Sequence, residues 1–257
     1  MEFDALWFGL LAAAALAGFV DAVAGGGGLI QVPALFAALP QEAPATLFGT
    51  NKIASIFGTS NAARRYIRAV DMPWGVALPA AGAAFVFSFL GAATVAWLPK
   101  EVVRPLVLWL LVAVAVYTWM KPDFGRQART HSLPPRHALL VALLAGSLLG
   151  FYDGFFGPGA GSFMIFAFVR LFGMDFLHAS ASAKLVNAAT NAGALLLFAP
   201  QGHVLWALGL GMAACNIAGA QLGSRLAIRH GSGFVRAVFL VMTTLLIAKI
   251  GWDTWAA

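Results

Sequence analysis

The sequence predicts an all-α integral membrane protein made of two repeats of inverted topology, each with several transmembrane helices. Three observations support this class. Of the 257 residues, 61% are hydrophobic and only 10% are charged, whereas soluble domains usually carry about 25% charged residues. The apolar residues form separate segments, several of which are long enough to cross a bilayer as helices. The chain also repeats part of its own sequence 132 positions later.

The internal repeat is clearest around two aspartates, because Gly18-Phe19-Val20-Asp21 recurs as Gly150-Phe151-Tyr152-Asp153. The same register aligns, without insertion, residue types that are scarce in this chain: Lys52 with Lys184, Trp74 with Trp206 and Arg104 with Arg236. We therefore expect one transmembrane domain that consists of a first repeat at 1–120, a cytoplasmic linker at 121–136 and a second repeat at 137–257.

The apolar segments follow the same order in both repeats. They lie at 5–23, 29–39, 45–66, 73–97 and 102–120, and again at 138–155, 161–172, 177–199, 203–226 and 234–252. Segments of about 20 residues span a bilayer as helices. The second segment of each repeat is short and follows a glycine-rich break. This order predicts a helix, an unwound turn and a short or re-entrant helix, which must be covered by protein or face a watery cavity.

The first segment is interpreted as mature structure and not as a signal peptide. Its leading residues Glu2 and Asp4 are acidic, whereas a signal peptide begins with positive charge. Segment 138–155 also occupies the same place in the second repeat, where no signal peptide is expected.

Lysine and arginine residues predict the orientation. Basic residues crowd the loop at 64–68, the linker and the stretch 225–236, which are therefore expected in the cytoplasm. The loop at 199–203 carries no lysine or arginine, although it is the repeat counterpart of the basic loop after Asn61. Equivalent loops of the two repeats thus differ in charge bias, and each repeat has an odd number of membrane crossings. These two features predict repeats of inverted topology, with both chain ends outside.

Two lysines lie inside apolar segments, and each begins a polar stripe along one helical face. Lys52, Ser55 and Thr59 share a face because they are three and four residues apart, and Lys184, Asn187 and Asn191 repeat the pattern. A buried lysine must face a cavity or an acid. Either each lysine forms a structural ion pair with Asp21 or Asp153, or the two lysines form an anion site where the repeats meet.

The glycine-rich breaks favour the anion site. A helix that restarts after a break offers free N–H groups and a positive dipole end to an anion, and glycine lets the backbone touch a ligand. The predicted substrate-binding residues are Lys52, Lys184, Asn51, Ser55, Thr59, Asn187, Asn191, Gly25, Gly26, Gly27, Gly157 and Gly159. Asp21 and Asp153 are predicted as proton carriers or as ion-pair partners of the lysines. We expect the neighbouring Tyr152 to hydrogen-bond the protonated form of Asp153.

Several functions find no support in the sequence. No His, Cys or carboxylate cluster has metal-ligand spacing, so no metal is expected. No P-loop is present, so ATP is not expected to drive the process directly. No other cofactor is expected. The net charge of +6 is assigned to loops and not to nucleic-acid binding. Tyr152-Asp153 is similar to part of an intramembrane aspartyl protease motif, but neither aspartate follows Gly-x-Gly. The expected partners are a small anion and the lipid bilayer. The function expected is that of a secondary anion transporter, and a passive anion channel is the alternative.

Two stretches resemble a known family. The run from Gly18 to Gly28, followed by Thr50-Asn51-Lys52, is similar to the sulfite exporter TauE/SafE family, also called the 4-toluene sulfonate uptake permease family. The resemblance implies a bacterial inner-membrane protein that moves small anions, often sulfur oxyanions such as sulfite or organosulfonates. The second repeat departs from the pattern at Pro158, within its glycine run, and at Ala183, where the first repeat has Asn51. The two half-sites are therefore expected to be unequal.

Overall fold

The structure is a computed structural model that describes residues 2–97 and 134–255. No strand occurs within these ranges. The helices are α1 (Glu2–Ala24), α2 (Gly28–Ala38), α3 (Pro44–Ala69), α4 (Trp74–Trp97), α5 (Pro135–Phe155), α6 (Ala160–Phe172), α7 (Phe176–Phe198) and α8 (Trp206–Trp255). The last element, α8, consists of two helices joined at Gly231, whose φ of 69° and ψ of −166° are not helical. The predicted segment 102–120 and most of the linker 121–136 lie outside the described residues.

The expected all-α membrane architecture is confirmed for the described part of the chain. Among the described residues, three helical stretches are long and apolar enough to cross a membrane: Leu6–Ala24, Trp74–Val95 and Arg136–Phe155. Two shorter apolar helices are α2 and α6. Large apolar side chains on the long helices point outward, including Phe8 and Leu148, each 72% exposed. Such a surface suits contact with lipid.

Helix boundaries follow local signals in the sequence. Pro44 and Pro135 occupy the first turns of α3 and α5, where the missing N–H of proline costs no hydrogen bond. Asp175 caps α7, since its side chain accepts hydrogen bonds from the backbone N–H groups of Leu177 and His178. An aspartate in this position satisfies donors that the helix itself leaves free.

The two halves of the chain pack into each other. Helix α1 packs along α8, α5 packs along α4, α3 contacts both α7 and α8, and α4 contacts α7. If α1–α4 are exchanged with α5–α8, this set of contacts maps onto itself. The core is therefore shared between the halves.

Small residues allow the helices to approach closely. Gly219 and Gly223 on α8 lie against the backbone of Ala15 and Phe19 on α1, so an added Cβ at either glycine would collide with it. The glycines at 146, 150 and 154 on α5 meet the backbone of α4 in the same way. Stripes of small residues are typical of helix packing in membranes.

Helix α2 runs back along α1. Gly27, just before α2, lies against Ala17 and Asp21 near the end of α1. Gln31, one turn further, is linked through Asn216 to Ala14, because the Asn216 amide donates to both the Gln31 side chain and the Ala14 carbonyl. Successive residues of α2 therefore lie beside progressively earlier residues of α1. Helix α2 is thus antiparallel to α1, and the chain reverses its direction after Ala24.

Candidate functional site

The glycine-rich stretches form the connections between α1 and α2 and between α5 and α6. Gly25 has a φ of 77°, while Gly157 and Gly159 have φ values of 91° and 79°. Residues with a side chain rarely adopt these left-handed conformations, whereas glycine does so at little cost. The sequence therefore places glycine where the chain must turn sharply between a long and a short helix.

The two connections touch each other. The N–H of Ser162, in the first turn of α6, donates to the carbonyl of Gly25 at 3.1 Å, and the Ser162 hydroxyl donates to the carbonyl of Ala24 at 2.8 Å. The backbones of Gly25 and Gly161 are so close that a Cβ on either would collide with the other. The beginning of α6 thus lies directly on the break that ends α1.

Both buried lysines form ion pairs, and each pair joins the two repeats. Lys52 Nζ on α3 lies 2.9 Å from Asp153 Oδ1 on α5. Lys184 Nζ on α7 lies 3.0 Å from Asp21 Oδ2 on α1. Both lysines are almost completely buried. The site thus holds two acid–base pairs, each made of a lysine from one repeat and an aspartate from the other.

The two pairs lie at different levels along α3. Lys52 contacts one aspartate, and Thr59, seven residues later on the same helix, contacts the other. At about 1.5 Å per residue, this corresponds to an axial separation of about 10 Å.

The pairs also differ in their hydrogen bonds. Asp21 Oδ2 accepts a second hydrogen bond from the Thr59 hydroxyl at 3.3 Å. Asp153 Oδ2 is buried and has no hydrogen-bond partner among the described residues. Asn191, the repeat counterpart of Thr59, donates instead to the Asn187 side chain at 2.9 Å. The second half-site thus leaves a buried carboxylate oxygen unsatisfied where the first does not.

The remaining predicted residues are spread around these pairs. Asn51 is 4% exposed, and its Oδ1 has no hydrogen-bond partner in the described part of the chain. Ser55 is partly exposed on α3. Gly157 lies beside the second pair, since a Cβ there would be 3.4 Å from Asp153 Oδ1 and 3.5 Å from Lys52 Nζ. The structure therefore brings Thr59 and Gly157 to the ion pairs, and it joins Asn187 and Asn191 to each other.

The expected role of Tyr152 is wrong. Its hydroxyl donates to the carbonyl of Pro158 at 2.7 Å, so it braces the break between α5 and α6 and does not serve Asp153. Neighbouring residues on a helix point in directions about 100° apart, so adjacency in sequence does not bring their side chains together.

Three further polar side chains near the breaks are not evident in the sequence. Tyr66 on α3 donates from its hydroxyl to the carbonyl of Ala22 at 2.9 Å. Ser162 bonds the end of α1, as described above. Gln31 is fully buried, and its Nε2 has no hydrogen-bond partner among the described residues. In the repeat register these residues correspond to Phe198, Ile30 and Phe163, so the repeat gave no signal for them.

A second polar cluster lies at the start of α7. Asp175 accepts a hydrogen bond from the Ser232 hydroxyl at 3.1 Å, which ties the start of α7 to the bend in α8. Partial burial raises the pKa of Asp175. This effect is outweighed by hydrogen bonds from the backbone and ring of His178, by the charge of His178 and by the hydrogen bond from Ser232, all of which lower the pKa. The pKa of Asp175 therefore lies below its usual value, and the carboxylate is stabilised in its charged form.

The described residues contain no group of three His, Cys, Asp or Glu side chains that could hold a metal ion. The chemistry that these residues offer is that of lysine ammonium groups, carboxylates, amides and backbone N–H groups.

Comparison with known proteins identifies the family. The model of the family "Sulfite exporter TauE/SafE" matches residues 10–250. "Probable membrane transporter protein YfcA" of Escherichia coli K12 is 39% identical over 249 residues, which covers 94% of this chain and 88% of that protein. "Probable membrane transporter protein ORF9" of Sinorhizobium sp is 36% identical over 242 residues, with 94% and 90% covered. No solved structure matches the chain.

These relatives are membrane transporters and not enzymes, so the protease alternative is excluded. The match covers nearly the whole chain, including both aspartates, both lysines and both glycine-rich breaks. The chain belongs to the sulfite exporter TauE/SafE family of membrane transporters.

Proposed function

We propose that this protein is a secondary transporter of small anions, with an anion site where its two repeats meet. The observation that carries the proposal is the exchange of partners between the repeats, in which Lys52 meets Asp153 and Lys184 meets Asp21. Intramembrane charged residues are costly and usually mark the path of a substrate or a proton. Buried ion pairs add little stability compared with apolar packing, so two matched pairs favour a functional role.

Charge balance then couples the anion to a proton. Each lysine is neutralised by a carboxylate, so an arriving anion must take the place of that carboxylate. The displaced carboxylate would remain buried without a partner, which costs about 3–5 kcal/mol. Taking up a proton removes this charge. The binding of one anionic charge at a lysine is therefore accompanied by the uptake of one proton at the neighbouring aspartate.

The unequal hydrogen bonds favour Asp153 as the proton carrier. Asp21 is held by both Lys184 and Thr59, whereas Asp153 keeps one oxygen buried and unsatisfied. A buried charge whose hydrogen bonds are incomplete is costlier than a neutral group in the same place, so protonation of Asp153 would reduce the penalty by removing its charge. Asp21 is then chiefly the partner that positions Lys184.

The surrounding groups suit an oxyanion. Lysine ammonium groups form short, charge-assisted hydrogen bonds to oxyanions. The hydroxyls of Ser55 and Thr59 add neutral donors, as do the side-chain amides of Asn51, Asn187 and Asn191. We propose that the glycines at 26, 157 and 159 let a ligand approach the backbone, whereas the backbone at Gly25 and Gly27 already packs against Gly161 and Ala17. Together with the family, this donor set supports sulfite or organosulfonates as the substrate class. The bacterial membrane-transporter relatives support the bacterial inner membrane as the location.

Inverted repeats would explain how the site is exposed alternately. The interhelical contacts map onto themselves when the repeats are exchanged, and equivalent loops carry opposite charge bias. We place the first repeat at 1–120, the cytoplasmic linker at 121–136 and the second repeat at 137–257, with both ends outside. The short helix α2 is then re-entrant, folded back along α1 and covered by α3.

Transport by purified protein in liposomes tests this function. We expect a proton gradient to drive accumulation of sulfite or an organosulfonate above the outside concentration. Asp153→Asn should abolish this accumulation but retain exchange between equal pools, because exchange needs no net proton movement. Flux that stays strictly downhill in every proton gradient would identify a passive channel and contradict a secondary transporter.

A further inference from the structure

A basic cavity lies outside the ion-pair site, between α3 and α7. It has a volume of about 410 Å³, and its lining includes Ser60, Arg64 and Arg68 together with the apolar side chains Ile67, Leu185 and Ala188. Ser60, Arg64 and Arg68 are exposed, while the apolar residues are half-buried. The cavity therefore combines a basic rim with an apolar floor.

The rim has the geometry of an anion site. Ser60, Arg64 and Arg68 are four residues apart along α3, so their side chains project from one face. Neither arginine has an acidic partner among the residues that the structure describes. Two like charges at this spacing repel each other, and an anion between them would relieve the repulsion. Guanidinium groups bind phosphate through paired, parallel hydrogen bonds.

The floor indicates that the ligand also has an apolar part. A free inorganic anion would contact the arginines but leave Ile67, Leu185 and Ala188 beside water or lipid. An anionic phospholipid would satisfy both, because its phosphate meets the arginines and its glycerol and upper acyl chain cover the apolar surface. Basic pockets between transmembrane helices bind anionic headgroups in this way.

The basic rim of the cavity has no counterpart in the second repeat, unlike the aspartates and lysines of the ion pairs. At the positions 132 residues after Ser60, Arg64 and Arg68, the second repeat has Ala192, Leu196 and Pro200. Leu196 is 58% exposed, so the equivalent surface is apolar. The aspartates and lysines recur in both repeats, whereas this basic rim occurs in one. A one-sided site fits a ligand enriched in one leaflet, as anionic lipids are on the cytoplasmic side.

We propose that Arg64 and Arg68 bind the phosphate of an anionic phospholipid in the groove between α3 and α7. Lipid binding to the purified full-length protein in neutral detergent, followed by native mass spectrometry, tests this site. Phosphatidylglycerol should bind more tightly than phosphatidylcholine. The double variant R64Q/R68Q should weaken phosphatidylglycerol binding about 30-fold, which corresponds to about 2 kcal/mol at about 1 kcal/mol for each basic group.

Arg225 and Arg229 on α8 provide the matched control, since they have the same spacing and are also exposed. The variant R225Q/R229Q changes the charge equally and should keep phosphatidylglycerol binding. Equal weakening by both double variants would overturn the proposal, because it would indicate attraction by overall charge. Competition by inorganic phosphate as strong as that by phosphatidylglycerol would overturn it in favour of a free-anion site. Cross-linking between two copies through Ser60→Cys, in a Cys215→Ser background, would show that protein covers the groove and would also overturn it.

Discussion

Lys52 and Asp153 are 2.9 Å apart, although they belong to different repeats. Lys184 and Asp21 form the reciprocal pair at 3.0 Å. This exchange of partners ties the charge balance of the site to the relative position of the two halves. A movement of one repeat against the other would lengthen both pairs together and expose two lysines to an anion.

The first prediction separates folding from binding at this pair. Lys52→Ala leaves the Asp153 carboxylate buried and unpaired, so we expect a loss of about 3–5 kcal/mol in the free energy of unfolding. The double variant K52A/D153A removes both charges and should recover much of this loss. Both variants should still insert but bind the anion weakly. Unfolding in detergent and anion binding by calorimetry measure the two effects. Normal anion affinity in both Lys52→Ala and Lys184→Ala would contradict the anion site.

The second prediction concerns Gly157, which lies beside the same pair. Gly157 has a φ of 91°, so Gly157→Ala strains the backbone by about 1–2 kcal/mol. Its new methyl group would also contact Lys52 and Asp153, and we expect anion affinity to fall. Gly202→Ala is the control, since Gly202 has a φ of 77° but nothing within 4 Å of an added Cβ. Both variants should lose similar stability. Unchanged anion affinity in Gly157→Ala would remove this glycine from the site.

The third prediction tests inverted topology by labelling single cysteines in a Cys215→Ser background. In the proposed orientation, a cysteine at Gly202 should react with a membrane-impermeant reagent added outside. A cysteine at Arg65 should react only from the cytoplasmic side. Gly202 lies in the loop after α7, which carries no lysine or arginine, and Arg65 lies near the end of α3. These two regions are counterparts in the repeat register. Labelling of both from the same side would contradict the inverted arrangement.

The fourth prediction uses the lowered pKa of Asp175. Its charged form is favoured in the folded protein, so its stabilising effect is complete above the unfolded pKa of about 3.9. The effect disappears as the pH falls through the lower pKa of the folded state. At pH 7 Asp175→Ala should reduce stability by about 1 kcal/mol through loss of the α7 cap. The difference from wild type should shrink at acidic pH. Asp71→Ala, at an exposed aspartate between α3 and α4, should show neither effect.

The sequence allowed prediction of much of the fold, because lipid imposes simple rules on composition and segment length. The repeat register also singled out Asp21, Lys52 and their counterparts. It left open which aspartate meets which lysine, since that depends on how α1 and α5 pack against the other repeat. Periodicity describes the face of one helix and carries no information about its partner helix.

Other contacts could not be predicted from the sequence, for different physical reasons. Tyr152 precedes Asp153, but the helix turns its side chain towards Pro158. Tyr66 and Ser162 hold the end of α1 through bonds to backbone carbonyls, and such acceptors exist at every residue, so no pattern marks them. Gln31 and Asn216 meet across 185 positions of sequence, where only tertiary packing can bring them together.

The most direct test measures protons taken up when an anion binds. Purified wild-type protein in weakly buffered detergent would be titrated with an organosulfonate, which does not itself titrate near neutral pH, and proton uptake would be followed with a pH indicator. We expect about one proton to be taken up for each anion bound, and binding without uptake in Asp153→Asn. Anion binding without proton uptake by the wild-type protein, or unchanged uptake in Asp153→Asn, would contradict the exchange of carboxylate for substrate at Lys52.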